Sequence, residues 1–180
     1  MFKGEDNYLY INPFFNGLVV YKYEQGKFIF KYKINYDFNI HDRYESKDTI
    51  ILATTKGILI INKKQGKYNF IDESDGLPNQ NLYSVLPDKT EEGSLWCSSN
   101  RGIFKYNFIN KNIDIYGLND GINALEFNSQ AMAIRQNGDF VFGSTDGITI
   151  IYPERMVVKN KNSDILLHNF KINNHSANNY

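Results

Sequence analysis

The sequence predicts an all-β fold, a partial β-propeller of about three and a half four-stranded antiparallel blades. Three observations carry that prediction. Gly57, Gly102 and Gly147 stand 45 residues apart, and Gly76 and Gly121 are separated by the same 45, so two independent landmarks share one period. Within a period, four short apolar runs alternate with turn-forming residues, which fits a propeller blade rather than a helical or leucine-rich solenoid. Aromatic residues make up 15% of the chain, with 13 Tyr and 13 Phe against one Trp, a bias toward pleated, half-buried surfaces.

The units span residues of about 1–34, 35–74, 75–118 and 119–156. In the first, residues 8–11, 18–23 and 27–33 read as second, third and fourth strands, and no first strand is expected. The turn Gln25-Gly26-Lys27 returns as Gln65-Gly66-Lys67, each glycine nine positions past Gly17 or Gly57. Residues 36–40 are expected to open the second unit, with 50–54, 57–62 and 67–72 completing it. The third unit is the fullest. Its strands at 82–86, 94–98, 103–106 and 113–116 are joined by turn chemistry at Thr90-Glu91-Glu92-Gly93, Asn100-Arg101-Gly102 and Asn110-Lys111-Asn112. In the last unit, residues 127–135, 140–143 and 148–152 form three strands, and Pro153, which cannot donate to a ladder, stops the pattern before a fourth. Residues 157–163 read as a polar linker.

Composition excludes several function classes. Lys plus Arg is 20 and Asp plus Glu is 20, so no global field favours nucleic acid or an anionic membrane. No apolar run reaches the roughly 20 residues of a membrane helix, and the first residues lack the apolar run of a secretory signal. Cys97 is the single cysteine and sits in a predicted strand beside Trp96, as an inert buried thiol would. His41, His168 and His175 lie too far apart for metal-ligand spacing, and Asp72, Glu73 and Asp75 run into Leu77-Pro78 without completing a calcium loop. There is no Gly-x-Ser-x-Gly elbow and no phosphate loop. No catalytic residue, cofactor or metal is assigned. Carboxylates converging from different blades keep a glycan lyase or hydrolase open as an alternative.

Asp75-Gly76-Leu77, Asn81, Leu95-Trp96, Gly102 and Tyr106, followed by a fresh Asp120-Gly121, resemble the two-component regulator propeller repeat. That repeat builds the periplasmic sensor region of bacterial hybrid histidine kinases. Glu126-Phe127-Asn128-Ser129, Phe142-Gly143 and Gly147-Ile148 resemble the terminal repeat of such sensors, and Tyr152-Pro153-Glu154-Arg155-Met156 resembles the exit from their propeller. The run 165–174 looks like the opening strand of a triple-tyrosine domain, the small β-sandwich between propeller and membrane, here truncated within 164–180. The first two units depart from the pattern at Leu9-Tyr10-Ile11-Asn12 and Ile51-Leu52-Ala53-Thr54. The resemblance implies a periplasmic, ligand-sensing fragment that recognises oligosaccharides and signals to a histidine kinase, with membrane contact only through parts of the parent absent here. A protein-interaction propeller without small ligand is the second alternative. Three and a half blades should not close a ring, so the open edges are expected to drive self-association, as in a homodimer.

In a four-stranded antiparallel blade, the link to the next blade opens on the same face as the turn between second and third strands. That face gathers Asn79, Gln80 and Asn81 with Ser98, Ser99, Asn100 and Arg101, and Asn119, Asp120, Asn123 and Asn128 with Thr145 and Asp146. From these, Arg101, Asn100, Ser99, Asn79, Gln80, Asn81, Asn123, Asn128 and Asp146 form the candidate ligand-binding set. Their amide, hydroxyl, carboxylate and guanidinium groups suit a hydroxyl-rich or acidic sugar. Arg101, with a bidentate fork next to the turn Gly102, leads the set. Asn and Asp also form turns without any ligand, and Trp96 inside a strand is the mark of core packing more than of a sugar platform.

Overall fold

The computed structural model describes residues 1–4, 7–13, 17–156, 171–172 and 175–176. Four antiparallel sheets follow one another along the chain. The first blade holds β1 (Phe2–Lys3), β2 (Tyr8–Ile11), β3 (Leu18–Glu24) and β4 (Lys27–Ile34). The second holds β5 (Ile40–Glu45), β6 (Thr49–Thr54), β7 (Gly57–Asn62) and β8 (Tyr68–Ile71). The third holds β9 (Leu82–Pro87), β10 (Ser94–Ser99), β11 (Gly102–Asn107) and β12 (Ile113–Tyr116). The fourth has three strands, β13 (Phe127–Ile134), β14 (Phe140–Ser144) and β15 (Gly147–Ile151). A separate pair, β16 (Lys171–Ile172) with β17 (His175–Ser176), falls in the tail, while the linker at 157–163 and most of the strand expected over 165–174 lie outside the described residues.

Two expectations are corrected. The first blade does have a first strand: Phe2 pairs with Tyr10 and Lys3 with Leu9. At two residues it is too short to show alternation, and the Phe2 ring stacked 4.9 Å from that of Tyr10 helps to hold it in place. The first strand of the second blade is Ile40–Glu45, not 36–40. The apolar residues that suggested the earlier position serve the link instead. Phe38 is buried and meets Phe70 edge-on at 5.5 Å, while Tyr36 lies 4.6 Å from the same ring. The Asn12 side chain fixes this link, donating to the carbonyls of Gly17 and Phe38 at 2.6 and 3.2 Å and accepting from the Ile40 N–H at 3.4 Å.

The core lies between blades, as period-two alternation requires. Ile50 and Leu52 face the first blade and pack with Tyr10, Leu18, Val20, Ile34 and Phe38. Their neighbours Ile51 and Ala53 face the third blade and pack with Val85, Leu95, Cys97, Phe104 and Tyr106. A strand sandwiched on both faces therefore reads as an unbroken apolar run, Thr49–Thr54. Between blades three and four, Trp96, Tyr116, Ile122, Phe127, Phe140 and Phe142 form the third cluster.

The 45-residue landmarks have physical causes. The hydroxyls of Thr54, Ser99 and Ser144 donate to the carbonyls of Gly57, Gly102 and Gly147 at 2.8, 3.1 and 3.0 Å. The same oxygens accept the N–H groups of Lys56, Arg101 and Asp146 at 3.0, 3.0 and 3.3 Å. A Cβ on Gly57 would stand 2.1 Å from the Ile71 carbonyl oxygen, and one on Gly102 2.4 Å from that of Tyr116, because the fourth strand crosses here. In the Asp-Gly landmarks, Asp75 and Asp120 reach back to accept the N–H of Asp72 and Gly117 at 3.1 and 2.9 Å, and Gly76 and Gly121 close each turn at φ 100 and 88.

Candidate functional site

The first strands line the axis of the array, where β9 packs against β5 on one side and β13 on the other, and β13 also reaches β5. Between them lies an open cavity of about 680 Å³ lined by Met1, Phe2, Asn12, Asn39, Ile40, His41, Asp42, Arg43, Gln130 and Met132. Asn12 and Asn39 belong to the loop and link of one face, so the cavity reaches the face that carries the sequence-predicted residues.

Each polar group has a defined state. His41 Nδ1 lies 2.8 Å from the Leu82 carbonyl, which can only accept, so Nδ1 carries a proton and donates, and Nε2 is left without a partner among the described hydrogen bonds. Asp42 Oδ2 accepts the Val85 N–H at 3.0 Å, tying the second blade to the third. Burial pushes the Asp42 carboxyl above its ordinary range, against the opposing pull of the Val85 and Arg43 N–H groups and the Arg43 charge. The Arg43 guanidinium lies 4.5 Å from the Phe2 ring centroid in a cation–π contact. Gln130 takes a left-handed φ of 57 where the β13–β14 register shifts between Phe127 and Met132, an irregularity of the kind that re-aims side chains beside a site.

None of the nine sequence-predicted residues lines this cavity. Several are held in a network beside it. Asn79 accepts the Asn81 N–H at 2.8 Å, Asn81 donates to the Tyr83 hydroxyl at 3.0 Å, and that hydroxyl donates to Asn100 at 2.8 Å. Tyr83 in turn stacks on His41 at 5.2 Å, so the amide network backs the cavity wall. Arg101 is exposed, its guanidinium 3.4 Å from the Pro78 carbonyl. Ser99 is buried in its turn. Asn123 receives a short hydrogen bond of 2.5 Å from Thr149 and donates to the Asp146 carbonyl at 3.2 Å, bridging the last link to the β14–β15 turn. Asn128 is exposed and Gln80 half-buried.

The sequence reading missed His41, Asp42, Arg43 and Gln130 as site residues. Their signal was the polar triplet His41-Asp42-Arg43 between apolar neighbours, which is informative only once the strand is placed at Ile40–Glu45. Trp96 is fully buried, donates to Asp88 at 2.8 Å and stacks on Tyr116 at 5.2 Å, so it is core. Burial, then the nearby Asp42 charge, pushes the Cys97 thiol far above its usual range. Among the described residues, no group of three or more His, Cys, Asp or Glu is placed to hold a metal ion, and no helix is long and apolar enough to cross a membrane.

No protein-family model matches the chain. It is 34% identical over 105 residues to histidine kinase P4 of Formosa agariphila, a match covering 58% of this chain and 8% of the kinase. Among solved structures it is similar to the extracellular domain assigned to the hybrid two component system BT3049 of B. thetaiotaomicron, with a TM-score of 0.72 and 25% identity. That likeness covers 84% of this chain and 21% of the other. The extracellular domain of BT4673 from the same organism shares the fold, with a TM-score of 0.54 and 18% identity over 81% of this chain and 25% of its own. The chain thus spans about a fifth to a quarter of these extracellular domains and under a tenth of the kinase.

Proposed function

We propose that the chain is part of the extracytoplasmic, periplasmic sensor region of a two-component histidine kinase, and that it recognises an oligosaccharide at the axial cavity rather than catalysing a reaction. The observation that supports the sensor role is the likeness to the BT3049 extracellular domain, joined by the sequence match to a histidine kinase. The cavity supports a ligand of modest size, since about 680 Å³ lies within the range of small-molecule sites. Its lining sets the amides of Asn39 and Gln130 beside the His41 imidazole, a combination that serves sugar hydroxyls. Gln80, Arg101 and Asn128, on the same face, are outer contacts for a ligand longer than the cavity, with Asn79, Asn81, Ser99, Asn100, Asn123 and Asp146 shaping the loops that carry them.

Binding is tested by calorimetric titration of the full 180-residue chain with a panel of neutral and acidic oligosaccharides. Loss of the Gln130 amide in Gln130→Ala is expected to weaken the binding sugar by about tenfold, the worth of a ligand hydrogen bond. Failure of every sugar in the panel to bind would remove the oligosaccharide part of this reading and leave the sensor likeness standing.

A further inference from the structure

We infer that the axial cavity is built for an acidic oligosaccharide, one that carries a uronic acid carboxylate, with the Arg43 guanidinium as its anchor; this rests on the oligosaccharide reading above. The titratable groups of the cavity differ in what already holds them. Asp42 is committed to the protein, since its carboxylate accepts the Val85 N–H at 3.0 Å. His41 is committed through Nδ1 to the Leu82 carbonyl, leaving Nε2 toward ligand hydroxyls. Arg43 is different. Among the described residues no carboxylate lies within ion-pair distance of it: its guanidinium lies 4.5 Å from the Phe2 ring centroid, and its charge acts on the neighbouring Asp42 without forming an ion pair.

That contact matters chemically. A guanidinium held over a ring face keeps its N–H groups pointing outward in its own plane, where a planar carboxylate can accept two parallel hydrogen bonds. Lysine could hold the charge but not the fork. The Gln130 and Asn39 amides, on the cavity wall with Arg43, supply donors and acceptors for the hydroxyls that flank a carboxylate on a sugar ring.

The test uses the full chain and trimers of galacturonic, mannuronic, guluronic and glucuronic acid, each beside its carboxyl-reduced neutral counterpart, read by calorimetry. At least one acidic trimer is expected to bind, and its reduced counterpart to bind about tenfold or more weakly, as for loss of a charge-assisted pair. Arg43→Gln is expected to bring the acidic trimer down to the affinity of the reduced one and to leave the reduced one unchanged. Arg43 is exposed, so unchanged circular dichroism and melting temperature confirm that Arg43→Gln folds. Equal binding of acidic and reduced trimers, binding of neutral sugars alone, or acidic binding that Arg43→Gln does not weaken would overturn this inference while leaving the oligosaccharide reading intact. Binding of no sugar, acidic or neutral, would overturn both.

Discussion

At the scale of single residues, the polar groups divide into those that hold the fold and those left for a ligand, and burial decides between them. Trp96 holds the fold. Its indole N–H gives the buried Asp88 carboxylate one of its donors, the other two coming from the N–H and hydroxyl of Thr90. Trp96→Phe keeps most of the packing but withdraws that donor, so unfolding in urea should show a loss of about 1–3 kcal/mol with sugar binding unaffected. Arg101 stands at the other extreme, and Arg101→Ala should change stability by less than about 0.5 kcal/mol in the same assay. Asp42 sits between them. Because its folded pKa is raised, its stabilising share is full below the ordinary carboxylate range and is lost as pH rises through the folded value. Asp42→Asn keeps an acceptor for the Val85 N–H and cannot ionise. The melting temperature of the variant relative to the parent should therefore climb as pH goes from acid to neutral, and a difference that stayed flat would disprove the assigned cause.

At the scale of elements, what could be read in the sequence was local, and what could not was tertiary. Glycine spacing located the recurring turns because each needs a left-handed backbone, and at Gly57 and Gly102 a crossing strand also excludes a Cβ. Gly57→Ala meets both penalties, φ of 108 and the Ile71 oxygen at 2.1 Å, and should cost about 2–4 kcal/mol. Gly121→Ala meets only the first, with nothing within 4 Å, and should cost about 1 kcal/mol. Comparing the two melting curves separates conformational from steric cost. Position 40–45 was misread for the opposite reason. Ile40–Glu45 is polar because it faces the axis, and its start is fixed by Asn12, 28 residues earlier, through a hydrogen bond that no local pattern announces. The cavity residues were hidden by the same displacement, whereas the loop amides of the third blade were legible because the turns that hold them are built from neighbours in sequence.

For the whole molecule, the decisive feature is that, among the described residues, blades two and three are covered on both faces while one and four are covered on one. The outer face of the first blade carries Tyr21, Tyr23, Phe28 and Phe30, paired across β3 and β4, and the register shift between Val20 and Tyr21 brings them to one side. Phe28 and Phe30 are 60% and 55% exposed. The outer face of the fourth blade carries Ala133, Val141, Ile148 and Ile150, smaller and aliphatic, with Ile148 64% exposed. Each interior interface in the chain buries faces of this apolar kind, so leaving two open is unfavourable in water. The 180-residue chain alone should therefore associate through them, and because the two faces differ the contact is heterologous, bulky rings of one copy against the aliphatic face of another. Sedimentation over a range of concentrations reads this directly. Phe30→Lys and Ile148→Lys lie on opposite faces, so either alone should weaken association by tenfold or more without unfolding the monomer, since both side chains are already in water. A chain that sediments as a monomer at all concentrations would show that the exposed rings are tolerated, and a chain in which only one of the two substitutions acts would show that the contact joins like faces about a two-fold axis.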